Sequence, residues 1–149
     1  MPASDDPGHR PLRSFGRIKS RAIKPRQAAL FDTLLPGIAL PDASLDRVMI
    51  LFPDPWHKAR HNKRRLVQAG TAAEIARLLK PGGRLRFVTD WKDYADWALE
   101  TFERTPGLIW EANEADDWRV APPDHVVTRY EEKKLGDTAP IFLDFTREA

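Results

Sequence analysis

The stretch Arg47-Val-Met-Ile-Leu-Phe-Pro-Asp-Pro-Trp-His-Lys-Ala-Arg-His-Asn-Lys-Arg-Arg65 decides how this chain is read. Residues 47–52 are a short apolar run bounded by proline, the pattern of a buried strand. Asp54 follows between Pro53 and Pro55, then Trp56, then six basic side chains in the eight positions 58–65. Proline on both sides restricts the backbone, which places Asp54 and Trp56 in an extended loop at the strand's carboxyl end. Open α/β sheets put their ligands at that edge. The stretch therefore predicts an acid-plus-aromatic site with a phosphate-binding strip attached.

Regular structure alternates beyond it. Apolar residues at helical spacing predict a helix over 63–79, ended by Lys80-Pro-Gly-Gly83. Residues 84–89 alternate Arg84 and Arg86 with Leu85 and Phe87 as a strand. A second amphipathic helix is expected over 92–104 and a short strand over 108–111. An acidic loop (Glu114, Asp116, Asp117) and a final strand over 141–146 follow. This βαβα order with a β-rich tail is an α/β sheet of about four strands, the first two parallel. Upstream, residues 27–35 suit a short helix stopped by Pro36-Gly37. Residues 1–26 are poor in large apolar side chains and read as a flexible basic arm. The expected organisation is an arm, 1–26, and one domain, 27–149.

The composition narrows the class. At 149 residues the chain suits one domain with a modest core. With no cysteine, disulfides and thiolate metal sites are excluded, and no metal ligands are assigned. No apolar leader or membrane-length segment is present, so a soluble cytoplasmic protein is expected. Net charge is only +2, but residues 1–89 hold 17 Lys/Arg against 7 Asp/Glu, and residues 90–149 hold 7 against 15. That asymmetry points to a polyanionic partner for the first part.

Each candidate residue has a plainer alternative. Lys58, Arg60, His61, Lys63, Arg64 and Arg65 crowd the expected helix start, where cations are unfavourable unless an anion binds there. A solvated charged face is the alternative. Asp54 would otherwise be a turn former and Trp56 a core residue, but as an exposed ring Trp56 offers a stacking platform worth roughly 1–3 kcal/mol per base. Thr89-Asp90-Trp91 ends the next strand with a second acid and aromatic. Its alternative is helix capping by Asp90. Thr128-Arg129-Tyr130-Glu131 alone would be a surface turn.

Taken together, these residues resemble the bacterial tRNA (guanine-N7)-methyltransferase family. The match rests on Pro53-Asp-Pro-Trp-His-Lys-x-Arg-His-x-Lys-Arg-Arg65, on Thr89-Asp90-Trp91, on Thr128-x-x-Glu131 followed by Leu135-Gly136, and on the basic segment from Arg13 to Arg21. The resemblance implies the C-terminal part of a Rossmann-like class I methyltransferase sheet, S-adenosylmethionine as cofactor and tRNA as partner. It implies that Asp54 lies between the methyl donor and the target base, contacting the cofactor, with His61 and Arg64 beside it as catalytic residues. Lys58, Asp90, Thr128, Arg129, Tyr130 and Glu131 would contact the substrate guanosine, and Arg60, His61, Asn62, Lys63, Arg64 and Arg65 the RNA. The chemistry is consistent: guanine N7 has a free lone pair, so no base is needed, and a carboxylate would stabilise the cationic product ring.

One part of the family pattern is missing. The family builds its donor pocket from a first strand ending in a Gly-x-Gly loop, a second ending in an acid, and a third acidic turn. None of these is found in the sequence, and Gly82-Gly83 precedes a strand rather than a helix. The pattern breaks near Leu40 and resumes at Pro41, as if three strands with their helices had been removed. The expected outcomes are a methyltransferase by family, a tRNA-binding homologue without catalysis, or a deletion fragment. In each, the strand over 47–52 keeps an unpaired apolar edge, a template for self-association.

Overall fold

The computed structural model describes residues 40–149. The basic arm and the helix expected over 27–35 lie outside the described residues. Four strands, β1 (Leu45–Leu51), β2 (Leu79–Thr89), β3 (Leu108–Trp110) and β4 (Ile141–Arg147), form one sheet in the order β1-β2-β4-β3. β1 and β2 run parallel, while β4 is antiparallel to both β2 and β3. Between them lie α1 (Ala69–Leu78), α2 (Lys92–Glu103), and two single turns, α3 (Asp116–Arg119) and α4 (Arg129–Glu132). This is the α/β sheet of four strands, the first two parallel, that the sequence predicts.

The strand period of two sorts side chains between two faces. Ile50, Leu85, Phe87, Leu143 and Phe145 are buried in the main core with Ile75 of α1 and Tyr94, Leu99 and Phe102 of α2. The opposite face carries a small apolar cluster of Phe52, Val88 and Phe142, and beside it an ionic one. Arg86 and Asp144 are register partners across β2 and β4. Arg86 donates twice to the Asp144 carboxylate (2.8 and 3.0 Å) and once to Asp124 (2.9 Å), which also accepts from Arg47 at 2.6 Å. These bonds, from Arg47 and then Arg86, hold the Asp124 carboxyl well below the usual range. Three strands are thereby tied to the loop that begins at Asp124.

The basic run does not start a long helix. Residues Ala59–Arg64 form a 3₁₀ helix, the chain then extends, and α1 begins only at Ala69. Tertiary contacts impose the break. Arg65 is fully buried, its Nε donating to Pro55 O (2.7 Å) and its Nη2 to Asp93 (2.6 Å), with its guanidinium 4.7 Å from the Tyr94 ring centre and 5.1 Å from that of Trp97. Trp97 Nε1 donates to Val67 O (2.7 Å), and Val67 N to the Tyr94 hydroxyl (3.3 Å). Side chains of α2 thus satisfy backbone groups that a helix would have satisfied internally. α1 does stop at Leu78, just before Lys80-Pro-Gly-Gly83 as expected, and that stretch is also an irregular start to β2. Leu45 pairs with Leu79 yet Arg47 with Arg84, and the extra residues bulge through Gly82 at φ +80°.

Among the described residues β1 pairs with β2 alone, leaving its other edge open. Met49 and Leu51 are 44% and 38% exposed.

Arg65→Ala should cost about 2–4 kcal/mol in urea unfolding, from a cavity plus lost buried hydrogen bonds, whereas exposed Arg60→Ala should change stability by less than about 0.5 kcal/mol. A second expectation concerns pH. Asp96, buried in α2, has its carboxyl raised to about 6, by burial first, despite the Lys92 ammonium 3.1 Å away. Because the folded pKa exceeds the unfolded one, the native state binds the extra proton, and stability falls as pH rises from about 4 to 6. Asp96→Asn should stabilise by about 1–3 kcal/mol at pH 7.5, and that gain should shrink by more than half at pH 4.5.

Candidate functional site

The carboxyl ends of β1 and β2 lie side by side, with Leu51 opposite Val88 and a further ladder bond from Phe52 N to Val88 O at 2.8 Å. Two loops leave the sheet there, one carrying Asp54 to Arg64 and the other Asp90 and Trp91. The first is strained. Phe52 and Trp56 have φ of +50° and +41°, in the left-handed region that bulky residues avoid. Phe52 is held by Val88 and Phe142. Trp56 is held from behind, because the Asn62 amide, turned to face its neighbours, donates to Trp56 O (2.9 Å) and Lys58 O (3.1 Å). Its ring meets the edge of His61 (5.9 Å) and lies under the Arg64 guanidinium at 5.1 Å.

This loop walls a hollow of about 410 Å³ lined by Asp54, Pro55, Trp56, His57, Lys58 and His61. Partial desolvation, then the cations Arg64, Arg60, Lys58 and Lys63, hold His61 below its usual pKa. Its imidazole is therefore neutral at pH 7 and able to donate from one nitrogen and accept at the other. Lys58, Arg60, Lys63 and Arg64 are exposed, His61 and Asn62 half-buried. Arg65, expected in the same strip, is turned away into the core, so it is not presented to a phosphate. Nor does the N-terminus of α1 lie under these cations.

A second hollow, about 530 Å³, is lined by residues that include Asp90, Glu131, Lys134, Gly136 and Asp137. Asp90 is buried, its Oδ2 accepting from Gly136 N and its carbonyl from Thr138 N, both at 3.1 Å. It does not cap α2. Asp137 does so from across the hollow, accepting from Lys92 N at 2.9 Å, and Thr89 Oγ1 accepts from Trp91 N. Thr128 caps α4 by accepting from Glu131 N at 3.1 Å. The Glu131 carboxylate meets His125 Nε2 at 2.7 Å, and the His125 ring sits edge-on to Phe142. Tyr130 reaches back to Phe52, with ring centres 6.0 Å apart, while Arg129 is exposed.

The residues expected around one guanosine are thus divided. Asp54, Lys58 and His61 line the first hollow, and Asp90 and Glu131 the second. His125, Asp124 and Asp137 had no signature in the sequence, since each acquires its partner only through the fold.

The family model described as "Putative methyltransferase" matches residues 28–143. A tRNA (guanine-N(7)-)-methyltransferase of Caulobacter vibrioides is 42% identical over 219 aligned positions, covering 93% of this chain and 96% of that protein. The namesake from Hyphomonas neptunium is 54% identical over 115 positions, 76% of this chain and 52% of its own length.

The chain belongs to the tRNA (guanine-N7)-methyltransferase family.

The comparison also bears on the break near Leu40. An alignment of 219 positions to a chain of 149 residues must open gaps of at least 70 positions in this methyltransferase-family chain. At least that many aligned positions of the relative therefore have no counterpart here.

Gly136 is a sensitive point of the second hollow. A Cβ there would stand 2.0 Å from Asp90 O and 2.4 Å from its carboxyl carbon. Gly136→Ala should destabilise by about 1–3 kcal/mol and detach residues 128–140 from Asp90, read as faster amide exchange at Gly136 and Thr138.

Proposed function

We propose that this chain is the acceptor side of a tRNA (guanine-N7)-methyltransferase, binding tRNA through the exposed cations of residues 58–64 and guanine between Asp54, Asp90 and Glu131. The observation that carries this reading is the pairing of an exposed basic 3₁₀ helix with two acid-lined hollows at the carboxyl edge of adjacent parallel strands. Phosphate contacts give affinity and position. Carboxylates suit guanine, whose N1–H and exocyclic amine are donors. Asp54, exposed on the rim, suits stabilisation of the positive charge on an N7-methylated ring.

Among the described residues, no place for S-adenosylmethionine is made. No Gly-x-Gly occurs in the sequence, and the outer edge of β1, where donor-side strands would pair, is open among the described residues. We infer that methyl transfer needs that side supplied from elsewhere, and that the chain alone binds tRNA without methylating it. The exposed Met49 and Leu51 on the open strand favour self-association. A cytoplasmic location follows from a tRNA partner.

Isothermal calorimetry should detect no S-adenosylmethionine binding at micromolar affinity, while tRNA binds with a steep salt dependence. Replacing Lys58, Arg60, Lys63 or Arg64 by Ala should each weaken binding and lower the log–log salt slope by up to about 0.9. Unchanged slopes in all four would reduce the strip to a solvated face, and micromolar donor binding would restore catalysis to the chain.

A further inference from the structure

The rings of His57 and Trp91 are stacked flat on one another, with centres 4.8 Å apart and planes 2° from parallel. Neither chain proximity nor a hydrogen bond explains the contact, because the two residues come from different strand ends. His57 is exposed and belongs to the wall of the first hollow. Trp91 is fixed. It packs against the main core, its amide is held by Thr89 Oγ1, and it follows Asp90, a wall of the second hollow. The stacked pair therefore stands at the wall of the first hollow, with the core-packed ring on one side and the exposed ring on the other.

We propose that the Trp91 indole is a stacking platform for an RNA base, and that the His57 imidazole occupies its face in the free protein. Parallel-plane stacking is the geometry in which aromatic side chains hold nucleobases, and it is insensitive to base identity. His57 is exposed, so its ring is the member of the pair that can turn into solvent. A base in its place would lie against the Asp54–Lys58 loop that His57 belongs to. The proposal deepens the tRNA-binding reading and rests on it. It adds a contact that contributes affinity without charge neutralisation, distinct from the cationic strip.

Two measurements on the full chain test it. In the first, guanosine monophosphate is titrated while the His57 ring protons and the Trp91 indole N–H are followed by NMR. Displacement should move the His57 signals out of the indole ring current and shift the Trp91 indole. His57 signals that stay put while the nucleotide binds would overturn the proposal. In the second, tRNA affinity is measured across salt concentrations. Trp91→Leu should weaken binding by about five- to a hundredfold without changing the salt slope, and Trp91→Phe, which keeps both core packing and a ring, should lose less. His57→Ala should tighten binding severalfold. Wild-type affinity in both Trp91 variants would overturn the platform and leave the tRNA reading intact. Weakening by His57→Ala equal to that of Trp91→Leu would assign the stacking to His57 and also overturn it. If wild-type protein shows no salt-dependent tRNA binding while the nucleotide still displaces His57, the platform stands and the tRNA reading fails.

Discussion

The buried guanidinium of Arg65 is the contact on which the candidate site depends. It lies between Tyr94 and Trp97 of α2 and bonds Pro55 O and Asp93. Its desolvation is offset by those hydrogen bonds and by the aromatic faces that cover it. Because one bond goes to a carbonyl of the Pro-Asp-Pro-Trp loop, Arg65 fixes that loop to the helix after the next strand. The 3₁₀ helix of exposed cations is the short span between these two ends, so it is displayed rather than packed. One arginine of the basic run thus gives up contact with solvent and positions the others.

A second constraint holds the opposite wall. The segment from Asp124 to Thr138 is anchored at its start by the ionic cluster with Arg47 and Arg86, and at its end by Gly136 and Thr138 on Asp90. Between these anchors, Thr128 caps the turn that carries Glu131, and His125 meets the Glu131 carboxylate. Asp137 then returns to cap α2. Asp90 therefore has a structural role as well as its place in the hollow wall. A loop with few apolar contacts gains a fixed course from charged groups bonded across three strands.

Both constraints act on the loops that carry the candidate residues. On one side the sheet stops at β1 among the described residues, with Met49 and Leu51 exposed. The alignment with the Caulobacter relative steps over at least 70 positions. The retained part holds together because its core is closed by α1 and α2 on one face and by the Asp124–Thr138 strap on the other.

Much of this was legible in the chain itself. Proline-bounded Asp54, the period-two strands and the spacing of acid and aromatic at two strand ends determined the α/β class, the parallel β1–β2 pair, the family and most candidate residues, because local sterics and hydrophobic period act within a few residues. What the tertiary structure decided was where those side chains point. It interrupted the expected helix, since side chains of α2 take up the Arg65 guanidinium and the Val67 backbone, and it removed Arg65 from the cationic strip. It gave α2 its cap from Asp137 instead of Asp90, divided one expected pocket into two hollows, and stacked His57 of the first on Trp91. Each of these outcomes is a contact between residues distant in sequence, favourable only once the sheet has brought their backbones together.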